Sequence, residues 1–240
     1  MKNALVIIPT YNEIENIEAI ISAVFLQSEA IHVLIVDDNS PDLTSDKVRI
    51  LQNTYPERLF LETRKEKSGL GTAYIHGFKW SLSRGYHYIF EMDADFSHNP
   101  EDLQKLYNAC AVQGADVAIG SRYVTGVNVV NWPMGRVLMS YFASRYVRFI
   151  TGMKIHDTTA GFVCYKRIVL ETLNLDKIKF VGYAFQIEMK FKAYIKKFKI
   201  IEVPVIFTDR TLGESKLSSG IISEAIFGVI SLKIKSLFKN

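Results

Sequence analysis

The sequence predicts an α/β domain built on a mostly parallel sheet flanked by helices. Three observations predict it. Short, continuous apolar runs alternate with helical patterns along the first half of the chain, and such runs belong to strands buried on both faces. Acidic and polar residues gather directly after those runs, where open α/β sheets place their ligand sites. A chain of 240 residues with 48% hydrophobic and 22% charged side chains also has the means to bury a sizeable core.

Taken in order, Ala4–Pro9 is the first apolar run, and its core is too short for a signal peptide before Pro9 and Glu13 interrupt it. A helical pattern follows from Asn12 to Phe25. Ile31–Val36 is the second run, closed by Asp37, Asp38 and Asn39. The next helical pattern covers Ser68–Arg84, and His87–Met92 is a strand ending at Asp93. Helix signals resume after Asn99-Pro100, since proline is tolerated in a first turn, and Ala115–Ile119 is a further strand. Beyond Gly126 the character changes. Arg136–Ile150 is apolar and aromatic, with Arg136, Arg145 and Arg148 set into it. Over Lys190–Lys199, lysine alternates with Phe, Tyr and Ile as on one face of a helix. Ile200–Phe207 is the last strand, and Ile221–Phe238 is an apolar helix with Lys233, Lys235 and Lys239 at its end.

Charge is unevenly divided. Residues 1–178 carry 18 basic against 20 acidic side chains, net −2, whereas residues 179–240 carry 11 against 5, net +6. A basic, apolar C-terminal quarter suits an anionic surface, either lipid headgroups or nucleic acid, or else a solvated basic face. The lysine-rich stretch has no nucleic-acid module, so nucleic acid is not an expected partner. Cys110 and Cys164 lack metal-type spacing and read as reduced thiols in a cytosolic setting. Mean hydropathy is +0.09, yet no run approaches the roughly 18 apolar residues of a membrane span. The chain is greasy without a span.

The chemistry concentrates at strand ends. Asp93-Ala94-Asp95 follows the strand Tyr88–Met92, and two carboxylates flanking one residue can share a hard divalent cation. Such a cation takes one or two carboxylates plus phosphate oxygens, and it stabilises charge on a departing diphosphate. Asp37 and Asp38 end the second strand at the same sheet edge, where a carboxylate can accept hydrogen bonds from a ribose or base. Gly69-Leu70-Gly71 opens a helix whose amides can approach phosphate. It is not a dinucleotide fingerprint, because it does not follow the first strand and lacks the third glycine. His98 reads as a polar loop histidine at the Asn99-Pro100 turn, and His156 as an ordinary helix-end histidine.

Several of these segments, in order, resemble family 2 glycosyltransferases of the GT-A fold. They are Val6–Glu13 (VIIPTYNE), Val36–Asp42 (VDDNSPD), Gly69–Gly71, Met92–Asp95 (MDAD) and Gly120–Tyr123 (GSRY). Thr158–Phe162 (TTAGF), Gly182–Glu188 (GYAFQIE) and Phe207–Lys216 (FTDRTLGESK) look like the polyprenol (dolichol) phosphate mannose synthases. The resemblance implies transfer of mannose from GDP-mannose to a polyprenyl monophosphate, with inversion and with Mg²⁺ or Mn²⁺. It implies a nucleotide pocket lined by Pro9, Tyr11, Glu13, Val36, Asp37, Gly69 and Ala94, with Asp93 and Asp95 holding metal and diphosphate. It places Arg210 and Lys216 on a loop that closes over the donor, and Arg122 and Arg136 at the acceptor phosphate. Asp95, Arg122, Arg136 and Arg210 are thus the expected catalytic set. Gln186 and Glu188 fall on the sugar side or brace an arginine. Thr159-Ala160-Gly161 departs from the family's more usual Thr-Gly-Gly or Thr-Ser-Gly, which touches only the closeness of backbone approach.

A lipid phosphate is already an anionic nucleophile, so this chemistry needs no dedicated base. It needs in-line positioning, and arginine forks suit phosphate. Three alternatives stay open at this level: a UDP-sugar donor with the same lipid acceptor, a catalytically silent binding subunit, and a sugar-nucleotide pyrophosphorylase. The silent subunit is disfavoured because both aspartates are present. The pyrophosphorylase would want a glycine-rich basic loop where Pro9–Glu13 stands. The expected organisation is a catalytic domain over 1–217, including an acceptor-side helix at about 133–152, and an amphipathic helix over 218–240. At least one of the two apolar helices is expected at the cytosolic face of a membrane, held peripherally; a place in the core, a membrane partner subunit or a second copy would bury the same surface.

Overall fold

Every residue of β1 (Ala4–Thr10) except Pro9 is buried, as a strand covered on both faces requires. Leu5 and Ile7 point to one side and join Ala73, Tyr74 and Phe78. Ala4, Val6 and Ile8 point to the other and join Ile17, Ile20, Ile21 and Val24. The period-two alternation of a strand thus divides one continuous apolar run between two cores. The computed structural model describes residues 1–182, 184–209 and 220–238, leaving aside the side chains of 220–227.

After β1 come α1 (Ile17–Phe25), β2 (Ile31–Asp37), α2 (Thr44–Gln52), β3 (Leu59–Thr63), α3 (Leu70–Ser83) and β4 (Tyr88–Glu91). They are followed by α4 (Leu103–Ala111), β5 (Val117–Ser121), β6 (Val129–Val130), α5 (Met134–Thr151), β7 (Val163–Lys166) and α6 (Arg167–Thr172). The chain continues through α7 (Ala184–Ile195), β8 (Ile200–Pro204), β9 (Phe207–Thr208) and α8 (Gly220–Leu237). Seven strands form one sheet in the order β3-β2-β1-β4-β7-β5-β8. Only β7 runs antiparallel to its neighbours β4 and β5, so the expected mostly parallel sheet is present. Strand order reverses between β1 and β4, and in open α/β sheets that switch point is where ligands bind.

The structure adds elements that the apolar runs did not announce. β7 is a four-residue strand, VCYK, too short to show a period. α2 is mostly polar, with Thr44, Ser45, Val48 and Leu51 buried. α1 begins at Ile17 rather than Asn12, because residues 11–16 are drawn into the loop at the sheet edge. The run Ile200–Phe207 divides, β8 pairing with β5 and Phe207–Thr208 pairing with β6. α8 packs on α5 and α7: Val229 is buried in the α3/α7 core, and Lys233 Nζ donates to the Thr151 carbonyl at 3.2 Å.

α3 crosses β1 at Gly77, where an added Cβ would lie 2.7 Å from Ile7 Cγ2. Gly77→Ala is therefore expected to destabilise the protein by about 1–3 kcal/mol from overpacking, despite the helix propensity alanine gains. Thermal unfolding checks this. A raised melting temperature would mean that α3 shifts freely on the sheet.

Candidate active site

The loop after β1 is stitched to the loop after β2. Asn12 takes a left-handed conformation (φ 56°), which Asn tolerates better than most residues. Its amide then donates to Ser40 Oγ at 3.0 Å, that of Glu13 to Thr44 Oγ1 at 3.1 Å, and that of Ile14 to Asp42 at 3.0 Å. Asp37 organises this corner. It is fully buried and accepts from Thr10 Oγ1, the Ser40 amide, Ser40 Oγ and Ser45 Oγ at 2.6–2.9 Å. A carboxylate offers about four lone-pair directions, and here they meet four protein donors. Asp37 shapes the pocket wall from behind. Tyr11, on the accessible side, stacks its ring beneath Lys67 Nζ at 4.4 Å. Pro9 and Val36 are register partners on β1 and β2 just below this corner.

Asp38 is held bidentately by Arg64, whose third contact is Thr72 Oγ1 at 2.7 Å. The α3 N-terminus is likewise occupied by protein: the Gly71 amide donates to the Val181 carbonyl at 2.8 Å. A Cβ on Gly71 would meet the Phe185 ring at 2.8 Å and the Phe180 carbonyl at 2.9 Å. Gly69, at φ +98°, makes the turn. These glycines pack closely against Phe180, Val181 and Phe185, and the Gly71 amide is taken by protein.

Asp93-Ala94-Asp95 follows β4 at the switch point. Asp93 keeps 37% of its side chain exposed, while Asp95 is buried and accepts the Ser97 amide at 3.1 Å. Tyr74 Oη donates to Asp93 at 3.4 Å. Beside Asp95, Ser97 Oγ is buried without a hydrogen-bond partner among the described residues. This is a hard, all-oxygen donor set of the kind that Mg²⁺ or Mn²⁺ takes. No group of three or more His, Cys, Asp or Glu gathers among the described residues. The fit is therefore to a cation completed by phosphate oxygens and water.

His98 corrects the reading of a polar loop residue. It is 3% exposed, its ring stacks on Phe162 at 4.9 Å, and Nδ1 accepts the Asp93 amide at 3.0 Å. Burial lowers its pKa, and because Nδ1 accepts the Asp93 amide, the ring proton sits on Nε2. The turn before it includes Phe96, at a positive φ of 60°.

Phe162 leads to the second half of the site. Its segment lies beside β5, where the Gly120 amide donates to the Phe162 carbonyl at 2.8 Å. Arg122, next after β5, is 7% exposed and grips Asp157 through Nε and Nη2 at 2.7 Å each. It reaches Thr159 Oγ1 at 2.9 Å. Burial alone would raise the Asp157 carboxyl, but the Arg122 charge and bonds outweigh it and hold the pKa below its ordinary value. Glu202 braces the segment, accepting from Ser121 Oγ, the His156 amide, His156 Nδ1 and the Asp157 amide at 2.7–2.9 Å. His156 is thus a hydrogen-bond partner of Glu202 rather than a simple helix-end residue.

Arg122 and Arg136 come together around Trp132. The Arg136 guanidinium lies 4.1 Å from the Trp132 ring centre and that of Arg122 5.5 Å. Tyr123 and Phe207 complete the aromatic surround of Arg122. Arg136 also pairs with Asp209 at 2.7 Å and is the more accessible of the two arginines. Arg210 and Lys216 lie outside the described residues. Among the described residues, Glu188 pairs with no arginine. It accepts the Lys179 and Phe180 amides at 2.8 and 3.1 Å and pairs with Lys192. Gln186 lies beneath the site, its Nε2 4.0 Å from where a Gly161 Cβ would stand.

The sequence reading missed Lys190. On α7 it is fully buried, and its Nζ donates to the Ala160 carbonyl at 2.6 Å. Glu91, also fully buried, is among the charges acting on it. Burial pushes Glu91 up and Lys190 down from their ordinary values. Nothing in the alternation of lysines distinguishes this one from its solvated neighbours.

Comparison with known proteins adds a second line of evidence. The chain is 47% identical over 234 residues to polyprenol monophosphomannose synthase of Mycolicibacterium smegmatis, covering 98% of this chain and 88% of that protein. It is 44% identical over 225 residues to undecaprenyl-phosphate mannosyltransferase of Micrococcus luteus, covering 94% and 91%. Among solved structures it resembles glucosyl-3-phosphoglycerate synthase of Mycobacterium tuberculosis, with a TM-score of 0.73 at 14% identity over 97% of this chain and 80% of that one. A mannosyltransferase of Pyrobaculum calidifontis, solved with GDP-Man and Mn²⁺, gives a TM-score of 0.61 at 18% identity over 99% and 64%. The fold is GT-A-like, and residues 5–173 match glycosyl transferase family 2, the family to which this chain belongs.

Proposed function

We propose that this protein transfers mannose from GDP-mannose to a polyprenyl monophosphate, giving polyprenyl phosphate mannose and GDP with inversion at the sugar carbon. The observation that carries the reading is the joining of two half-sites. Asp93 and Asp95 at the switch point connect through His98 and Phe162 to the segment that holds Arg122, with Arg136 alongside. Near-full-length similarity to relatives named for mannosyl transfer to polyprenol carriers supports it.

Asp93 and Asp95 would hold the divalent cation, which when bound stabilises charge on the departing diphosphate. The corner that Asp37 organises, with Pro9, Tyr11, Glu13 and Val36, would receive the nucleotide, and Arg210 and Lys216 the donor diphosphate. Arg136 would meet the acceptor phosphate, and Arg122, fixed by Asp157, would supply a preoriented fork. An acceptor oxygen then attacks the mannose anomeric carbon as the bond to the diphosphate oxygen breaks. The nucleophile is already ionised, so no proton has to be removed. A panel of GDP- and UDP-sugars with a short polyprenyl phosphate, with and without EDTA, tests this. Mannosyl product from GDP-mannose alone, abolished by EDTA, is expected; product from a UDP-sugar instead would transfer the reading to that donor.

The acceptor is a lipid, and α5 presents a matching surface. Met134, Leu138, Met139, Phe142 and Phe149 are exposed on it, Phe149 at 87%. Arg145 and Arg148 line an open cavity of about 340 Å³ with Tyr141, Phe149, Gly152 and Met153. Ile234, Leu237 and Phe238 of the C-terminal segment are exposed as well. No helix among the described residues is long and apolar enough to cross a membrane. This reading docks the enzyme peripherally on the cytosolic leaflet, with 1–217 catalytic and 218–240 contributing to docking. Flotation with phosphatidylglycerol-containing vesicles is the check. Phe142→Ser/Phe149→Ser is expected to lower the bound fraction about tenfold or more. Unchanged flotation, or a dimer that sediments with α5 buried, would overturn it.

A further inference from the structure

A fully buried ammonium is rare, because desolvation disfavours it unless geometry compensates. Lys190 is such a group, on a helix whose residues from Ala184 to Phe191 are all buried. Its Nζ donates to the Ala160 carbonyl at 2.6 Å and to Gln186 Oε1 and the Gln186 carbonyl at 3.3 Å each. Glu91 and Asp157 favour its charge, while Arg122 opposes it.

The position of Ala160 gives that contact its meaning. On one side of it, Thr159 accepts from Arg122 at 2.9 Å. On the other, Phe162 stacks on His98, which accepts the Asp93 amide. The carbonyl that Lys190 holds thus lies midway along the stretch of chain that links the arginine to the aspartate motif. From outside, Glu202 clamps the start of the same stretch at His156 and Asp157. Lys190 clamps it from inside. Glu91 has a different relation to the segment. Both its oxygens are buried and form no hydrogen bond to Lys190, Ala160 or any other described residue.

We infer that Lys190 is a positioning residue that fixes residues 157–162 against α7, and that it holds Arg122 in register with the acceptor phosphate. The acceptor half of this inference rests on the mannosyl-transfer reading above; the clamp itself does not. Lys190→Met keeps the length of the side chain and removes the donor. In that variant the amides of 157–162 are expected to exchange with deuterium about tenfold faster, with β1 and α1 unchanged. The KM for a short polyprenyl phosphate is expected to rise about tenfold, with that for GDP-mannose within about twofold. Glu91→Gln leaves the Lys190–Ala160 contact in place and should change neither quantity by more than about twofold.

A folded Lys190→Met with wild-type exchange and acceptor KM overturns the inference, as does a Glu91→Gln with the same acceptor defect. If Lys190→Met does not fold, Glu91→Gln/Lys190→Met removes the stranded carboxylate and carries the same expectations. Failure of both to fold counts against a positioning role and makes Lys190 a folding residue. Should the wild-type enzyme transfer no mannose, the functional reading falls, while the exchange comparison still decides the clamp.

Discussion

Asp95→Asn is expected to abolish metal-dependent donor binding while the protein stays folded. Asparagine retains an oxygen to accept the Ser97 amide, now at 3.1 Å, so the turn survives and only the charge is removed. A divalent cation at this edge has two carboxylates to hold it, since no larger cluster of ligating side chains lies among the described residues. Losing one charge of two removes most of the electrostatic attraction, and a loss of about 1,000-fold in kcat/KM follows from several kcal/mol of lost charge stabilisation. Calorimetric titration with GDP and Mn²⁺ reads binding, and thermal unfolding reads the fold. Unchanged affinity in a folded variant would remove Asp95 from the metal site. Asp93→Asn should behave alike, with a smaller effect on the fold because its side chain is partly exposed.

The second large effect is expected at Asp157. Asp157→Ala strands the Arg122 guanidinium, 9% exposed, without its bidentate partner. Breaking a buried pair by removing one member costs about 3–5 kcal/mol, because an uncompensated charge remains inside. Urea unfolding at neutral pH measures it, and a cost under about 1 kcal/mol would mean that water reaches Arg122 freely. The pH dependence has a definite sign. The folded-state pKa of Asp157 lies below its ordinary value, so below that value the unfolded chain binds more protons than the native one. The pair's contribution is fully present above the ordinary aspartate range and is lost as pH falls through the lowered folded value. The stability gap between wild type and Asp157→Asn should therefore narrow on acidification. A constant gap would show that titration of Asp157 is not its source.

Much of this protein is readable before it folds. The apolar runs marked β1, β2, β4 and β5, and the acids after them marked the edge that carries the site. Both follow from local rules: a strand buried on two faces needs an unbroken apolar run, and ligand groups gather at strand ends. The elements that escaped are those whose identity is not local. β7 is four residues long and is defined by antiparallel partners on both sides. His98 looked like a loop histidine because burial by Phe162 and Phe207 comes from distant parts of the chain. Lys190 sat among solvated lysines, and only the packing of α7 makes it an interior cation.

The sequence by itself determined the fold class, the family and the residue types at the sheet edge. It also located an excess of apolar and basic side chains in α5 and the C-terminal segment. Tertiary structure decided which of the named residues face the pocket and which hold it in place. Asp37, Glu188 and Gly71 turned out to be occupied by protein donors or neighbours. Arg122 and Arg136 were brought to one tryptophan from opposite ends of a loop. The physical reason is that a motif records chemistry, whereas the disposition of a carboxylate or guanidinium depends on which partners folding brings within about 3 Å of it. Those partners, such as Asp157 for Arg122 and Ala160 for Lys190, lie 35 and 30 residues away along the chain.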